Sequence, residues 1–485
     1  MNKLREEIIK SVNGKNPVIY INTSEENRIS QALADLAPKC FPGGSLTVWS
    51  CVRGLEPDIK GADTRDPLAA LEKIISEPKP GFYLMKDFGD FINDPRVTRG
   101  LREAYFSFLK NYKTAIVISS AFFDPPESIK KEIRYIEINA PSGEEIEEKV
   151  KEIEKKFPQF SIPEELRSKI LLALNGLDLT EIEHIMYRVF NSGVSISSFL
   201  EEIFLEKGIL TKKAGFLEFV PINYEVNAVG GLKNLREWAA KRKDLFNRTA
   251  VSSGMPIPKG VLIMGVSGCG KSLMAKSIAG LWNVPLFRLN MNMVFSGLYG
   301  TPGVAFHKAL SMIEKISPAV LWIDEMESSF SFPKDSGTSQ SMIFAEFLTW
   351  MQEKPPLVFV AATANRIELL PAELIRKGCF DEVFFCDLPS PYERYEILSI
   401  HLQKNGVDPK KIDINQLLGD THGFSGAEIE QMVIGAVIEA YQKKRELRVQ
   451  DIKAQIRNMV PLSTTMAEQV KLIRDWAQTR AVSAS

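Results

Sequence analysis

Lys271 and Ser272 close the stretch GVSGCGKS, whose spacing is G-x-x-x-x-G-K-S and which begins at Gly265. Glycines at such spacing let successive backbone N–H groups turn toward an anion, and this pattern cradles the β-phosphate of a nucleotide. Ser267, Gly268, Cys269 and Gly270 form the cradle. Lys271 then reaches the β- and γ-oxygens, Ser272 offers a hard oxygen to Mg²⁺, and Leu273 completes the predicted contacts. The bland alternative is a chance match in a glycine-rich turn. Asp324 and Glu325 end the run AVLWIDE. Asp324 is suited to orient the Mg²⁺ shell, and Glu325 to accept a proton from an attacking water or to orient it; the alternative is a solvated acidic turn. Asn365 ends LVFVAATAN, where an amide can position that water or merely cap a turn. Arg376 lies in the last turn of a Pro-initiated helix in LLPAELIRKGCFDE. It is either a cation at a helix C-terminus or an arginine finger reaching a neighbouring subunit's γ-phosphate.

These groups need a frame. KGVLIMG before the loop reads as a short apolar strand and SLMAKSIAGLW after it as a helix, which is the context a phosphate loop requires. AVLWI is a buried parallel strand, so Asp324 falls at its carboxyl end, where open α/β sheets bind ligands.

With AVGGLKNLREW ahead of the loop, and EILSIH and THGFSGAEIEQMV after the last strand, residues 222 to 460 resemble the AAA+ ATPases. The resemblance implies a RecA-like parallel sheet followed by a helical lid, ATP and Mg²⁺ as cofactors, and homo-oligomers, usually hexameric rings with nucleotide between subunits. It places Gly230 at the adenine pocket, His401 near the base and ribose, and Gly426 with Ala427 at the lid contact; His401 also reads as a satisfied helix histidine. The ending PLSTTMAEQVKLIRDWAQTR and the front stretches PVIYINTSEE and VWSCVRGLE are similar to the AAA family of the hypothetical chloroplast reading frame forty-six. One departure stands out. The AAA+ pattern R-x-G-R-F-D reads RKGCFDE here, so Cys379 replaces a second arginine and the finger role falls on Arg376 alone. Cys379 and Cys269 are either small tolerated substitutions or oxidation-sensitive points. In SGLYGTPGVAF, where the family carries a pore loop, Leu298, Tyr299 and Gly300 shift the aromatic by one place. The loop either grips a peptide or packs on its own helix.

The first half repeats the order of the second. PVIYINT and SEENRISQALADLA parallel the strand and helix around the loop, without its glycines or lysine. GFYLMKDF parallels AVLWIDE, placing Asp87 at the position of Asp324 and Phe88 at that of Glu325; TAIVISS puts Ser120 near Asn365. Gly176, Glu181, Ile182 and Glu183 match Gly423, Glu428, Ile429 and Glu430. The fold class is therefore α/β throughout. Residues 1–205 read as a degenerate AAA-like domain without a phosphate loop and 206–222 as a linker. Residues 223–390 read as the large ATPase subdomain, 391–460 as its lid and 461–485 as a tail.

Composition narrows the function. Sixty basic and 61 acidic residues nearly cancel, so no global field advertises a nucleic acid; QKKRELRVQ reads as a solvated helix face. Five scattered cysteines fit a reducing, cytoplasmic compartment, the plastid stroma if plastid-encoded. No run is long enough to span a bilayer, and MNKLREEIIKSV is a charged helix rather than a signal. The absence of H-E-x-x-H removes a zinc-protease reading. Three functions remain: an ATP-hydrolysing ring that remodels protein partners, a nucleotide-dependent scaffold or switch, and, last, a nucleic-acid loader.

Overall fold

The computed structural model describes residues 2–23, 25–57, 63–120, 125–138, 140–158, 162–192, 198–212, 215–221, 230–330, 339–366, 369–375 and 378–485. It divides into two compact units, Met1–Pro158 with Leu177–Met186, and Gln159–Gly176 with Tyr187–Ser485.

The first unit is built on β1 (Val18–Asn22), β2 (Ser45–Ser50), β3 (Gly54–Glu56), β4 (Gly81–Lys86), β5 (Thr114–Ser120) and β6 (Arg134–Glu137). The order is β3-β2-β4-β5-β1-β6, parallel apart from the β2–β3 hairpin. The second unit holds β7 (Leu217–Val220), β8 (Gly260–Gly265), β9 (Leu286–Leu289), β10 (Ala319–Ile323), β11 (Val358–Ala364), β12 (Glu382–Cys386) and β13 (Val482–Ser483). Its order is β13-β12-β8-β11-β10-β9-β7, parallel except that β7 runs antiparallel to β9. Numbered by chain order, the five parallel strands of the first unit (β1, β2, β4, β5, β6) and the strands β8 to β12 of the second, the short β13 set aside, both run 5-1-4-3-2. Chance βα alternation does not predict this coincidence, and it is the strongest support for a repeat. β8, β10 and β11 are buried along their whole length, which is why they read as unbroken apolar runs.

Register corrects one expectation about the repeat. Lys86 lies beside Ser119, and Asp324 lies beside Thr363, one step past the Ile323–Ala362 pair. The residues that turn left-handed after these strands are Asp87, at φ 50°, and Glu325, at φ 44°. Leu84 and Trp322 face the cluster of the helix after the first strand, while Met85 and Ile323 face the other side. Lys86 therefore occupies the place of Asp324, Asp87 that of Glu325, and Ser120 that of Ala364. Matching the letter D slips the pairing by one residue, which turns every side chain to the wrong face.

The expected linker, 206–222, is largely built into the second unit. Its first part ends the helix Phe199–Lys212, and β7 pairs with β9. Lys207 is fully buried and donates to the Ile316 carbonyl at 3.0 Å. A buried lysine in an otherwise irregular pattern is why the segment shows no clear period. The expected tail is likewise structured: the helix Ala467–Arg480 sends Ile473 and Val470 into the sheet's two apolar clusters, and β13 extends the sheet. The helices Pro391–Lys404, Gly426–Gln442 and Val449–Arg457 pack a separate cluster around Leu398, Ile429, Met432 and Ile452, as a lid would.

Candidate nucleotide site

A cavity of about 300 Å³ opens at the carboxyl ends of β8, β10 and β11. The turn 266–270 forms its floor. Gly268 and Gly270 take φ 78° and 87°, and a Cβ on Gly268 would lie 2.9 Å from the Ser425 hydroxyl. Gly265 sits beneath the wall rather than on it, because a Cβ there would lie 2.0 Å from the Cys386 carbonyl oxygen. Ser267, Cys269, Lys271, Ser272 and Leu273 line the cavity. Lys271 is buried and donates to the carbonyls of Gly265 (3.0 Å) and Val266 (2.7 Å). Burial lowers its pKa against the pull of neighbouring groups, so an incoming phosphate would relieve an under-compensated cation.

Asp324, Glu325 and Asn365 meet on one wall. Thr363 Oγ1 donates to Asp324 Oδ1 at 2.7 Å and accepts the Glu325 N–H at 3.0 Å, which fixes the kinked pair. Asn365 Nδ2 donates to Glu325 Oε1 at 3.2 Å. Ser272 Oγ lies 3.5 Å from Asp324 Oδ1. A serine and a carboxylate oxygen are the donor set Mg²⁺ takes when phosphates complete its octahedron. Among the described residues no group of three His, Cys, Asp or Glu is placed to hold a metal ion.

Gly230, His401, Gly426 and Ala427 close the far end. The Ala427 N–H donates to the Gly268 carbonyl at 3.0 Å, joining lid to loop. His401 Nδ1 lies 3.5 Å from Glu430 Oε1. Burial pulls its pKa down, while Glu430 pulls it up. Arg376 lies outside the described residues. Cys379 is buried against the Glu373 carbonyl and does not face solvent as a cation would. Burial pushes the Cys269 thiol up to about 12, so it stays a poor nucleophile, and the bland reading of that cysteine fits better.

Sequence reasoning missed three residues. Thr363 is one more small residue in a buried strand until register sets it beside Asp324. Glu327 is buried and accepts the N–H groups of Asn365 (2.8 Å) and Arg366 (3.2 Å), which holds Asn365 against the acidic turn. Glu393 reads as an ordinary capping residue, since Ser390 lies three places before it. Only the acid two places after Glu325 carried any signal.

Residues 4–138 match the profile of the SpoVK-like AAA ATPase N-terminal domain, and residues 261–388 that of the ATPase family associated with various cellular activities. The site and sheet are thus those of an AAA ATPase domain, preceded by a domain of its own recognised type. The AAA domain-containing protein ycf46 of Guillardia theta is 36% identical over 472 residues, covering 95% of this chain and 92% of that one. The Pyropia yezoensis ycf46 protein is 37% identical over 472 residues, 95% of each. The chain belongs to the ycf46 family of AAA domain-containing proteins. The ATP-dependent zinc metalloprotease FtsH of Mycoplasmopsis synoviae is 32% identical over 195 residues, 38% of this chain but only 29% of that protein.

Proposed function

We propose that this chain hydrolyses ATP to ADP and phosphate, and uses the cycle to remodel or regulate protein partners as a homo-oligomeric ring. One observation supports the hydrolytic part above all: Glu325 and Asn365 hold each other at 3.2 Å inside the cavity that Lys271 and Ser272 also line. Lys271 and the turn 266–270 bind the phosphates. Glu325 takes the proton of the attacking water, and Asn365 fixes the acid and the water together. Ser272 and Asp324 would hold Mg²⁺, which would supply charge neutralisation at the phosphates. Arg376 of the next protomer completes the site. Turnover per protomer then rises with concentration through the assembly range, and constant turnover in a protein that stays monomeric by light scattering is the contrary result.

The exposed loop supports a protein partner. Tyr299 packs on Phe216 at 4.6 Å between ring centroids, while Leu298 is 73% exposed. Leu298, not the aromatic, is the side chain offered to a peptide. No helix among the described residues is long and apolar enough to cross a membrane, and we place the protein in a reducing compartment, the stroma where plastid-encoded. A slower, switch-like cycle is the second reading, favoured by the buried Cys379 where an arginine would stand. Steady-state turnover of the purified protein, with Glu325→Gln as the blank, separates the two. A rate indistinguishable from the blank leaves only the switch.

A further inference from the structure

The last residues of the chain reach the wall of the nucleotide cavity by a continuous chain of contacts. Arg474 pairs with Asp387 at 2.9 Å, and Asp387 lines the cavity. Beyond that helix, β13 pairs in parallel with the outer edge of β12 through Val482 and Ser483. Ala484 is fully buried; its N–H donates to the Phe385 carbonyl at 2.9 Å and its carbonyl accepts from Leu235 N at 3.1 Å. The Asn234 amide donates to the Ser483 and Ser485 carbonyls at 3.2 and 2.6 Å. Ser485 Oγ donates to Glu393 Oε1, and the same oxygen accepts the Leu232 N–H at 3.2 Å.

Leu232 needs that hold. It sits at φ 53°, a region L-residues occupy only when their surroundings impose it, and it precedes the helix Lys233–Arg242 without a side-chain cap. Gly231 before it, at φ 74°, passes so close to Glu393 that a Cβ would lie 2.4 Å from Oε1. Gly230 and Leu232 both line the cavity, and Leu232 borders the turn 266–270, since a Cβ on Gly270 would meet its Cδ1 at 3.5 Å. Burial raises the Glu393 pKa, but the hydrogen bonds from Ser485, Ser390 and Leu232 outweigh it, so the carboxylate stays charged and grips its donors.

We infer that residues 482–485 act as a clamp on the nucleotide pocket: by fixing Glu393, they hold the Gly230–Leu232 turn in the geometry that receives the nucleoside end of ATP. Glu393 and Ser485 are positioning residues. The clamp acts on binding rather than on bond cleavage, because its contacts run through Glu393 to the Gly230–Leu232 turn and not through the Glu325–Asn365 pair. This inference rests on the ATP site proposed above.

The test uses the full chain carrying Glu325→Gln, with a fluorescent N-methylanthraniloyl-ATP as probe, and the unblocked chain for kinetics. Ala484→Asp, which cannot enter the buried slot, raises the probe Kd and the KM for ATP about tenfold, with kcat changed less than twofold. Ser485→Ala, which loses one hydroxyl, raises both about threefold while the melting temperature of the nucleotide-free protein stays within a degree. Where Ala484→Asp does not fold, Ser485→Ala and Asn234→Ala decide. Unchanged Kd and KM in the folded variants overturn the clamp and leave the ATP site standing, as does a fall in kcat at constant KM. No probe binding by the parent, or equal binding by a Lys271→Ala control, overturns both.

Discussion

In the second unit Ser267 to Gly270, between β8 and the next helix, line a cavity; in the first, β1 ends at Asn22, the next helix begins at Glu26, and the Glu25 carboxylate beside that start is tied into an ion pair. Glu25 accepts the Leu179 N–H at 3.1 Å, at the helix start that matches Gly426, and pairs with Arg28 at 2.8 Å. Arg28 also pairs with Glu145 at 3.1 Å, and the three side chains are at most 10% exposed. Lys86, at the position of Asp324, pairs at 2.7 Å with Glu26, the first residue of the helix after β1. One strand order thus serves two ends. Function follows the turn and four or five side chains, and the sheet itself decides nothing about it. Asp87 sharpens the point: it stands in the place of Glu325, yet no glycine lies between β1 and the helix that follows.

The comparison breaks most plainly at Lys271. Lys271→Ala should lower ATP turnover by about 10³-fold or more, and residual phosphate release from the pure variant would mean the first unit also hydrolyses. Next comes the pair of acids. Glu325→Gln should cost about 10²- to 10³-fold in kcat with nucleotide affinity kept, while Asp87→Asn leaves turnover within twofold. A matching loss at Asp87 would make the first unit a working site.

Stability tests come after. Arg28→Met strands two buried carboxylates and should destabilise the first unit by about 3–5 kcal/mol, seen as an early transition in urea with the ATPase rate intact below it. Lys207 tests where the second unit begins. Burial lowers its pKa to about 7 from 10.5. Between those values the unfolded chain binds one more proton than the folded one. The protein therefore gains stability as pH rises through that window, by about 1.4 kcal/mol per pH unit, and the slope vanishes below pH 7. Burial lowers Lys354 to about 7 as well, so Lys207→Met should remove only the share of that slope that Lys207 contributes; equal pH profiles of parent and variant in denaturant melts would show Lys207 exposed in solution. The smallest effect belongs to Lys86→Ala. This half-exposed ion pair contributes about 0.2–1 kcal/mol, a shift at the edge of detection in calorimetry.

Much of this was legible in the sequence, for definite reasons. Lys271, Ser272, Asp324 and Asn365 are tied to strand ends and turns, and strand, glycine and helix signals are local. The repeat was visible as an order of elements, but its register was not, because register is set by which face each residue buries against helices far away in the chain. That is why Asp87 was matched to the wrong acid. Thr363 and Glu327 act through hydrogen bonds across neighbouring strands and turns, which spacing cannot reveal. Residues 206–222 and 461–485 misled for a related reason: short edge strands such as β7 and β13, and a lysine buried without a counter-charge, carry no periodic signature.

Lys86, in the place of Asp324, is tethered to the first unit for the life of the chain. A unit whose cation is covalently its own has nothing to exchange, so no arrival or departure at that spot tips it between two shapes. The first unit is in this sense permanently loaded. On the proposed ATP cycle, exchange of bound charge belongs to the second unit.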